Sequence, residues 1–417
     1  MNSSPAVAIT GVGSVTSLGI GRKELTSALQ EGKPHLSPVD RSQGYHRPRG
    51  ARLAALVQGA DLTSWVKPRA ARRMSPPSKL AVAAATMAVE ESGLDVAACT
   101  GPVAVFVATS FGPTSFTERI LNQVLVEGPE AASPMLFTES VANAPAAQIA
   151  LTFHAVGANV TVTQREAGPL IALARGVEEV AAGRAEVAIV AAVDEISPVL
   201  HAAIDRFGAL SGSRPQGTSC DGSERSEVAR PFDLHRDGFL LAEGTGALVV
   251  EREEAARDRG AQVRAVVRDT ARAFDPKAPR SSWSRDPHAL AEALTNFLER
   301  SRVEIAQVDR IVSGASGSRG GDLLEALVLQ QAFGGSLPPI WAPKGASGEY
   351  GGSLLVPAVL AAEGEVFGPT GGFRQPDPEL AVIPHDGSPL DPPAMTLVTS
   401  LAAGGAASWM LLEPGRP

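Results

Sequence analysis

The chain has 417 residues, 44% hydrophobic but only 5% aromatic, with 42 glycines, so its apolar material builds a large core from Ala, Val and Leu. A net charge of −8 argues against a general nucleic-acid binder, and two cysteines, Cys99 and Cys220, exclude a disulfide framework. No apolar run reaches the roughly 20 residues that span a bilayer and no basic-then-apolar leader opens the chain, so a cytoplasmic protein is expected.

PAVAITGVGSVTSLG (5–19) reads as a strand entering a Gly-rich turn. Gly11 and Gly13 begin a dinucleotide-type fingerprint, but Thr16 stands where its third glycine belongs, and that reading is set aside. Residues 79–94 predict a helix stopped at Gly93, 102–112 a buried strand, and 114–127 a second, amphipathic helix. GANVTVT (157–163) is a β-branched strand. It runs into a sharp turn, Gln164 to Gly168, with Pro169 at the start of a helix over 170–182. A strand, a tight turn and a helix N-terminus together suit a reactive thiolate or an oxyanion, yet the residue placed there is Glu166. AEVAIVAAVDE (185–195) is the next strand, and 211–229 is a polar loop holding Cys220. Residues 229–260 read as loop, Gly-rich turn, strand and helix, with a seam near 257–263.

The second half repeats this order. VDRIVSGASGSRGGD (308–322) is strand then Gly-rich turn, 339–364 is strand, turn and Ala-rich helix, and 395–414 is two strands around a Gly turn. Two halves with one strand–turn–helix order predict duplicated α/β units whose turns converge, with Glu349 as the second-half counterpart of Glu166. The seven histidines show no ligand spacing such as HxxxH, so no metal is expected.

Several stretches carry a resemblance: SPMLFTESVANAPAAQIA (133–150), GANVTVT (157–163), ARPFDLHRDGFLLAEGTGALVVE (229–251), GGDLLEA (320–326) and PKGASGE (343–349). Together they are similar to the β-ketoacyl-carrier-protein synthases, the condensing enzymes of fatty-acid and polyketide synthesis, over nearly the whole chain. The resemblance implies a thiolase-like α/β fold, five layers α-β-α-β-α from two halves, divided here as 1–257 and 258–417. It implies no cofactor beyond an acyl chain delivered on the phosphopantetheine of an acyl carrier protein.

That family works with a cysteine that takes the acyl chain and two histidines that assist decarboxylation and hold the enolate oxygen. By motif the cysteine position is Glu166. The first histidine, in a turn written roughly AHGTxTxxGD, falls on Gly314, and the second, in KSxxGH, on Glu349. The gating Phe of a GFGG turn falls on Ala403. The frame around them persists in Asp322, Glu325, Lys344, Gly404 and Gly405, with Lys344 and Glu325 expected to form a structural ion pair. A carboxylate is a poor acyl acceptor, and an ionised Glu349 would repel an enolate. The pattern resembles the chain-length factors of type II polyketide systems, which lack the cysteine, pair with an active ketosynthase and shape its elongation tunnel. These often carry Gln at the cysteine position, whereas here Gln164 lies two residues earlier and Glu166 fills the slot.

Phe116, Ile120 and Val124 lie at i, i+4 and i+8, and in such factors the matching helix faces the partner and limits the tunnel; ordinary core packing is the plainer reading. Arg69, Arg72 and Arg73 lie in the one strong basic cluster, VKPRAARRMS (66–75), which matches a carrier-protein contact in the family and is otherwise a solvated face. Three functions stay open from sequence: a non-catalytic subunit of a heterodimeric ketosynthase, a remodelled enzyme using Glu166 and Glu349 as acid and base on an acyl thioester, or a scaffold recruiting carrier protein. No nucleic acid or membrane partner is expected.

Overall fold

The structure, a computed structural model, describes residues 5–42, 45–213 and 227–415; the loop expected over 211–229 lies mostly outside them, as does Cys220. One sheet dominates. Its first half holds β1 (Val7–Thr16), β2 (Val103–Ala108), β3 (Asn159–Val162), β4 (Val187–Asp194) and β5 (Gly244–Arg252). Its second half holds β6 (Ala265–Phe274), β7 (Arg310–Ser313), β8 (Ile340–Trp341), β9 (Thr396–Leu401) and β10 (Ala406–Pro414). The spatial order is β3-β2-β4-β5-β1 in one half and β8-β7-β9-β10-β6 in the other. In each, three strands run parallel and the last two are antiparallel, so the expected duplication holds strand for strand. A short antiparallel pairing of Val7, Ala8 and Ile9 with Val267, Val266 and Ala265 joins the halves.

The period of two along each strand sorts side chains into layers. Val103, Val105 and Val107 of β2 pack outward with α1 (Pro76–Ser92) and α3 (Ala144–Phe153). Ala104, Phe106 and Ala108 face inward, onto α4 (Gly168–Ala181) and α7 (Leu355–Glu363). In the second half Val398 and Met410 join that central layer, while Leu397, Trp409 and Leu411 pack under α5 (His288–Arg300) and α6 (Arg319–Phe333). These are the five layers that the resemblance implied.

One expectation is overturned. Gly11 and Gly13 make no turn: β1 continues through both to Thr16. A Cβ on either would overlap a carbonyl oxygen of α1, of Ala88 or Ala84, so glycine lets the helix lie directly on the strand.

Candidate functional site

Every position singled out for chemistry follows the C-terminal end of a parallel strand, where open α/β sheets place their ligands. Glu166 follows β3, Gly314 follows β7, Lys344 and Glu349 follow β8, and Ala403 follows β9. Glu166 and Glu349 occupy matching connections, β3 to α4 and β8 to α7.

At the first turn Arg165 takes φ 43°, a left-handed conformation uncommon for a residue with a Cβ, and a single 3-10 turn, Arg165–Ala167, feeds α4. The Ser400 hydroxyl donates to the Glu166 carbonyl at 2.7 Å, tying the turn to the second half. The Glu166 side chain is half-buried and its Oε2 has no hydrogen-bond partner. Burial, then the nearby Glu349 carboxylate, push its pKa up to about 7, while Lys344 and Arg165 pull it down.

Lys344 is 2% exposed and donates to both Glu349 oxygens at 2.8 Å. This corrects the expected Lys344–Glu325 pair. Glu325 is already occupied: its Oε1 accepts from Ser313 Oγ (2.7 Å), Thr399 Oγ1 (2.9 Å) and the Gly314 N–H (3.2 Å). Burial pushes Glu325 up to about 7, and Lys344 acts on it through space only. Asp322 holds the turn after β7 by accepting from the N–H groups of Ser316 and Gly317, and fastens Phe232 at 2.8 Å.

At Gly314 a Cβ would come 2.9 Å from the Thr399 carbonyl oxygen and 3.1 Å from Ser400 Cα. The space of a side chain is thus taken by the neighbouring strand. Ala403 sits half-buried in the β9–β10 turn, whose Gly404 and Gly405 take φ 95° and 97°. Ala402 and Ala406 beside it pack on Ala167. The structure therefore gathers Glu166, Glu349 and Lys344, and sets Gly314 and the Ala403 turn around Ser400 and Ala167. None of these positions carries a thiol or an imidazole. Among the described residues no group of three or more His, Cys, Asp or Glu is placed to hold a metal. Cys99 lies elsewhere, half-buried, its thiol pushed up by burial.

The other predicted residues lie apart. Arg69, Arg72 and Arg73 stand exposed around a short helix, Pro68–Ala71. The amphipathic helix is α2 (Thr114–Asn122), continued by a π turn, Gln123–Glu127. Phe116, Ile120 and Val124 are each half-buried, but the wider turn breaks the i, i+4, i+8 line before Val124. The exposed apolar residues nearby are others: Leu121, Leu125 (82% exposed) and Val126, then Met135, Phe137, Leu151, Val156 (85%) and Val160. Val160 lies on β3 itself, whose outer side pairs with no strand among the described residues, and Leu151 lies on α3, which packs beside it.

Residues 4–256 match the family profile described as "Beta-ketoacyl synthase, N-terminal domain", and residues 264–366 match "Beta-ketoacyl synthase, C-terminal domain". The chain belongs to the β-ketoacyl synthase family. Within that family it is 29% identical over 398 residues, 91% of this chain and 90% of the relative, to the "Tetracenomycin polyketide synthase ketoacyl synthase alpha subunit" of Streptomyces glaucescens. A solved structure called "The ishigamide ketosynthase/chain length factor" superposes with TM-score 0.88 at 26% identity, covering 99% of this chain and 100% of that one. A β-ketoacyl synthase from Burkholderia phymatum shares the fold, with TM-score 0.86, 23% identity and coverage of 99% and 100%. The synthase fold here is thus thiolase-like, as expected, and among the described residues no helix is long and apolar enough to cross a membrane.

Sequence reasoning missed two groups that organise this synthase-like site. Ser400 bonds the Glu166 turn, and the pair Asp194-Glu195 closes β4. The signal was present, since two adjacent carboxylates end an otherwise apolar strand.

Proposed function

We propose that the chain is the non-catalytic, chain-length-factor-like subunit of a type II polyketide ketosynthase. It pairs with an active ketosynthase subunit and helps shape the tunnel in which the chain grows. One observation carries this reading: each position where the family keeps cysteine or histidine is filled in a way that opposes condensation. Glu166 replaces the thiol, Glu349 is neutralised by Lys344, and the side-chain space at Gly314 is taken by backbone. Losing one electrophilic donor typically costs about 10²–10³ in rate.

The partner reading draws support from the exposed apolar residues and open β3 edge, which suit a related chain pairing there. The similarity to a ketosynthase/chain length factor structure points the same way. The acyl chain would arrive on the phosphopantetheine of an acyl carrier protein, with Arg69, Arg72 and Arg73 as a docking patch. Co-expression with a ketosynthase that retains Cys and both His should give a stable 1:1 complex, and condensation should require the partner's cysteine. A stable homodimer that ignores that partner, or self-acylation of this chain, would overturn the reading.

The raised pKa of Glu166 beside Glu349 favours a second reading, acid–base chemistry on an acyl thioester. It requires turnover by the isolated subunit that Glu166→Gln abolishes.

A further inference from the structure

The helix α2 begins without a cap of its own. The residue before it is Pro113, which offers no side-chain acceptor, and none of its residues is fully buried. Its first turn is instead held by a residue 80 positions away in sequence. Glu195 Oε1 accepts the Ser115 N–H at 2.7 Å, and both Glu195 oxygens accept from Ser115 Oγ, at 3.0 and 2.9 Å. A carboxylate here satisfies an orphan amide and complements the positive end of the helix. Thr114 Oγ1 also reaches Glu195 Oε1, at 3.5 Å, and the middle of α2 is tied by Thr117 Oγ1 to the Ser140 carbonyl (3.0 Å) and Tyr45 to Glu118 (3.2 Å).

Glu195 itself stands on a rigid post. The preceding Asp194 is buried and accepts from Thr109 Oγ1 (2.9 Å), Ser110 N–H (2.8 Å) and Phe111 N–H (3.1 Å), fixing the strand end that leads into α2. Its other oxygen takes the Gly351 N–H at 2.8 Å, two residues beyond Glu349. The following Ile196 gives its N–H to Glu243 at 3.1 Å, and Ser197 caps the next helix at Leu200, also at 3.1 Å. Four consecutive residues are therefore fixed, and α2 leans on the second of them.

The geometry points to Glu195 as a positioning residue that sets where α2 stands and thereby the length of the product. This rests on the reading of the chain as a tunnel-shaping subunit. Asp194 extends the same post to the Glu349 turn, so the position of α2 is referenced to the degenerate site.

The test uses the complex with the ketosynthase partner and compares wild type with Glu195→Ala, Glu195→Gln, Ser115→Ala and Phe116→Ala. Products are sized by mass spectrometry, assembly by native mass, and α2 by amide hydrogen exchange. In Glu195→Ala, exchange at residues 115–118 should rise about tenfold and products should spread to additional lengths while the complex stays intact. Glu195→Gln keeps an acceptor for Ser115 and should restore most of the wild-type pattern, which a purely structural loss would not follow. Unchanged exchange and product length in an assembled Glu195→Ala complex would overturn the inference. If Glu195→Ala fails to assemble, Ser115→Ala, which keeps the N–H bond but removes both hydroxyl bonds, should shift exchange and product length in the same direction by a smaller amount, and wild-type behaviour there overturns the inference. Should Phe116→Ala alter product length while Glu195→Ala does not, the positioning role falls and the tunnel reading stands. Should α2 loosen while no variant alters product length, the tunnel reading falls and this inference with it.

Discussion

Glu166→Gln is expected to stabilise the isolated chain at alkaline pH and to leave it unchanged at acid pH. In the folded chain burial and Glu349 raise the Glu166 pKa from 4.5 to about 7. The native state then holds the proton more tightly than the unfolded state, so this group's contribution to stability is full below about pH 4.5 and is lost as pH rises through 7. At about 1.4 kcal/mol per pKa unit the full loss is about 3 kcal/mol, reduced to about 2–3 by solvent at the exposed rim of the side chain. Glutamine is neutral throughout and sacrifices no hydrogen bond at Oε2, which has none. With 417 residues and an unfolding entropy of roughly 2.1 cal/mol/K per residue, the difference corresponds to about 2–4 °C in Tm. Thermal unfolding of both proteins at pH 5, 6, 7 and 8 measures it. Glu195, Glu325 and Glu363 also stand near 7 and tilt both curves alike, so the difference between variants isolates Glu166. A Gln variant no more stable than wild type at pH 8, or one whose gain is the same at pH 5, would refute the argument.

Lys344→Met removes the cation of a buried pair and should cost about 3 kcal/mol in a denaturant melt at pH 7, most of it recovered by adding Glu349→Gln. Glu166→Cys restores a thiol without its histidines and should show no condensation by thioester assay; adding Gly314→His should lower Tm, because the Cβ meets the Thr399 carbonyl. Reversing Arg69, Arg72 and Arg73 to Glu should weaken binding of an acidic carrier protein by about tenfold or more in a salt-dependent titration, leaving assembly with the ketosynthase intact. Val156→Asp places a charge on the apolar face beside β3 and should weaken that assembly by at least about tenfold, read by analytical ultracentrifugation.

The strands of the first half were legible because each is a dense β-branched or Ala/Val run bounded by turn residues, as in 102–112 and 185–195. The duplication was legible for the same reason. β6 was missed because AVVRDTARAF breaks the alternation, with three polar residues in a row, Arg268, Asp269 and Thr270, in a strand that also carries the seam between the halves. Gly11 and Gly13 misled because glycine marks a turn and a close helix–strand approach equally, and only the position of α1 separates the two. The Lys344 pairing was beyond sequence altogether. The expected partner was Glu325, but Ser313 and Thr399 engage its Oε1 from β7 and β9, and Lys344 bonds Glu349 instead.

The positions matched to the family's catalytic residues are bonded into their surroundings rather than left open. Loss of a catalytic residue by drift leaves its former partners unsatisfied, and each buried orphan costs about 1–3 kcal/mol. Here Lys344 is not orphaned but bonded twice to Glu349, the residue at the second histidine position. The Gly314 amide is taken by Glu325, and the turn around Glu166 is held by Ser400. Of these positions only Glu166 leaves an oxygen without a partner, and burial favours its neutral form. Apart from Glu166 Oε2, these groups keep one another's polar atoms bonded and hold the turns that follow β3, β7 and β8. Under the role proposed above, in which the exposed apolar face at the sheet edge meets a catalytic partner, rigid turns are what the chain needs from this site.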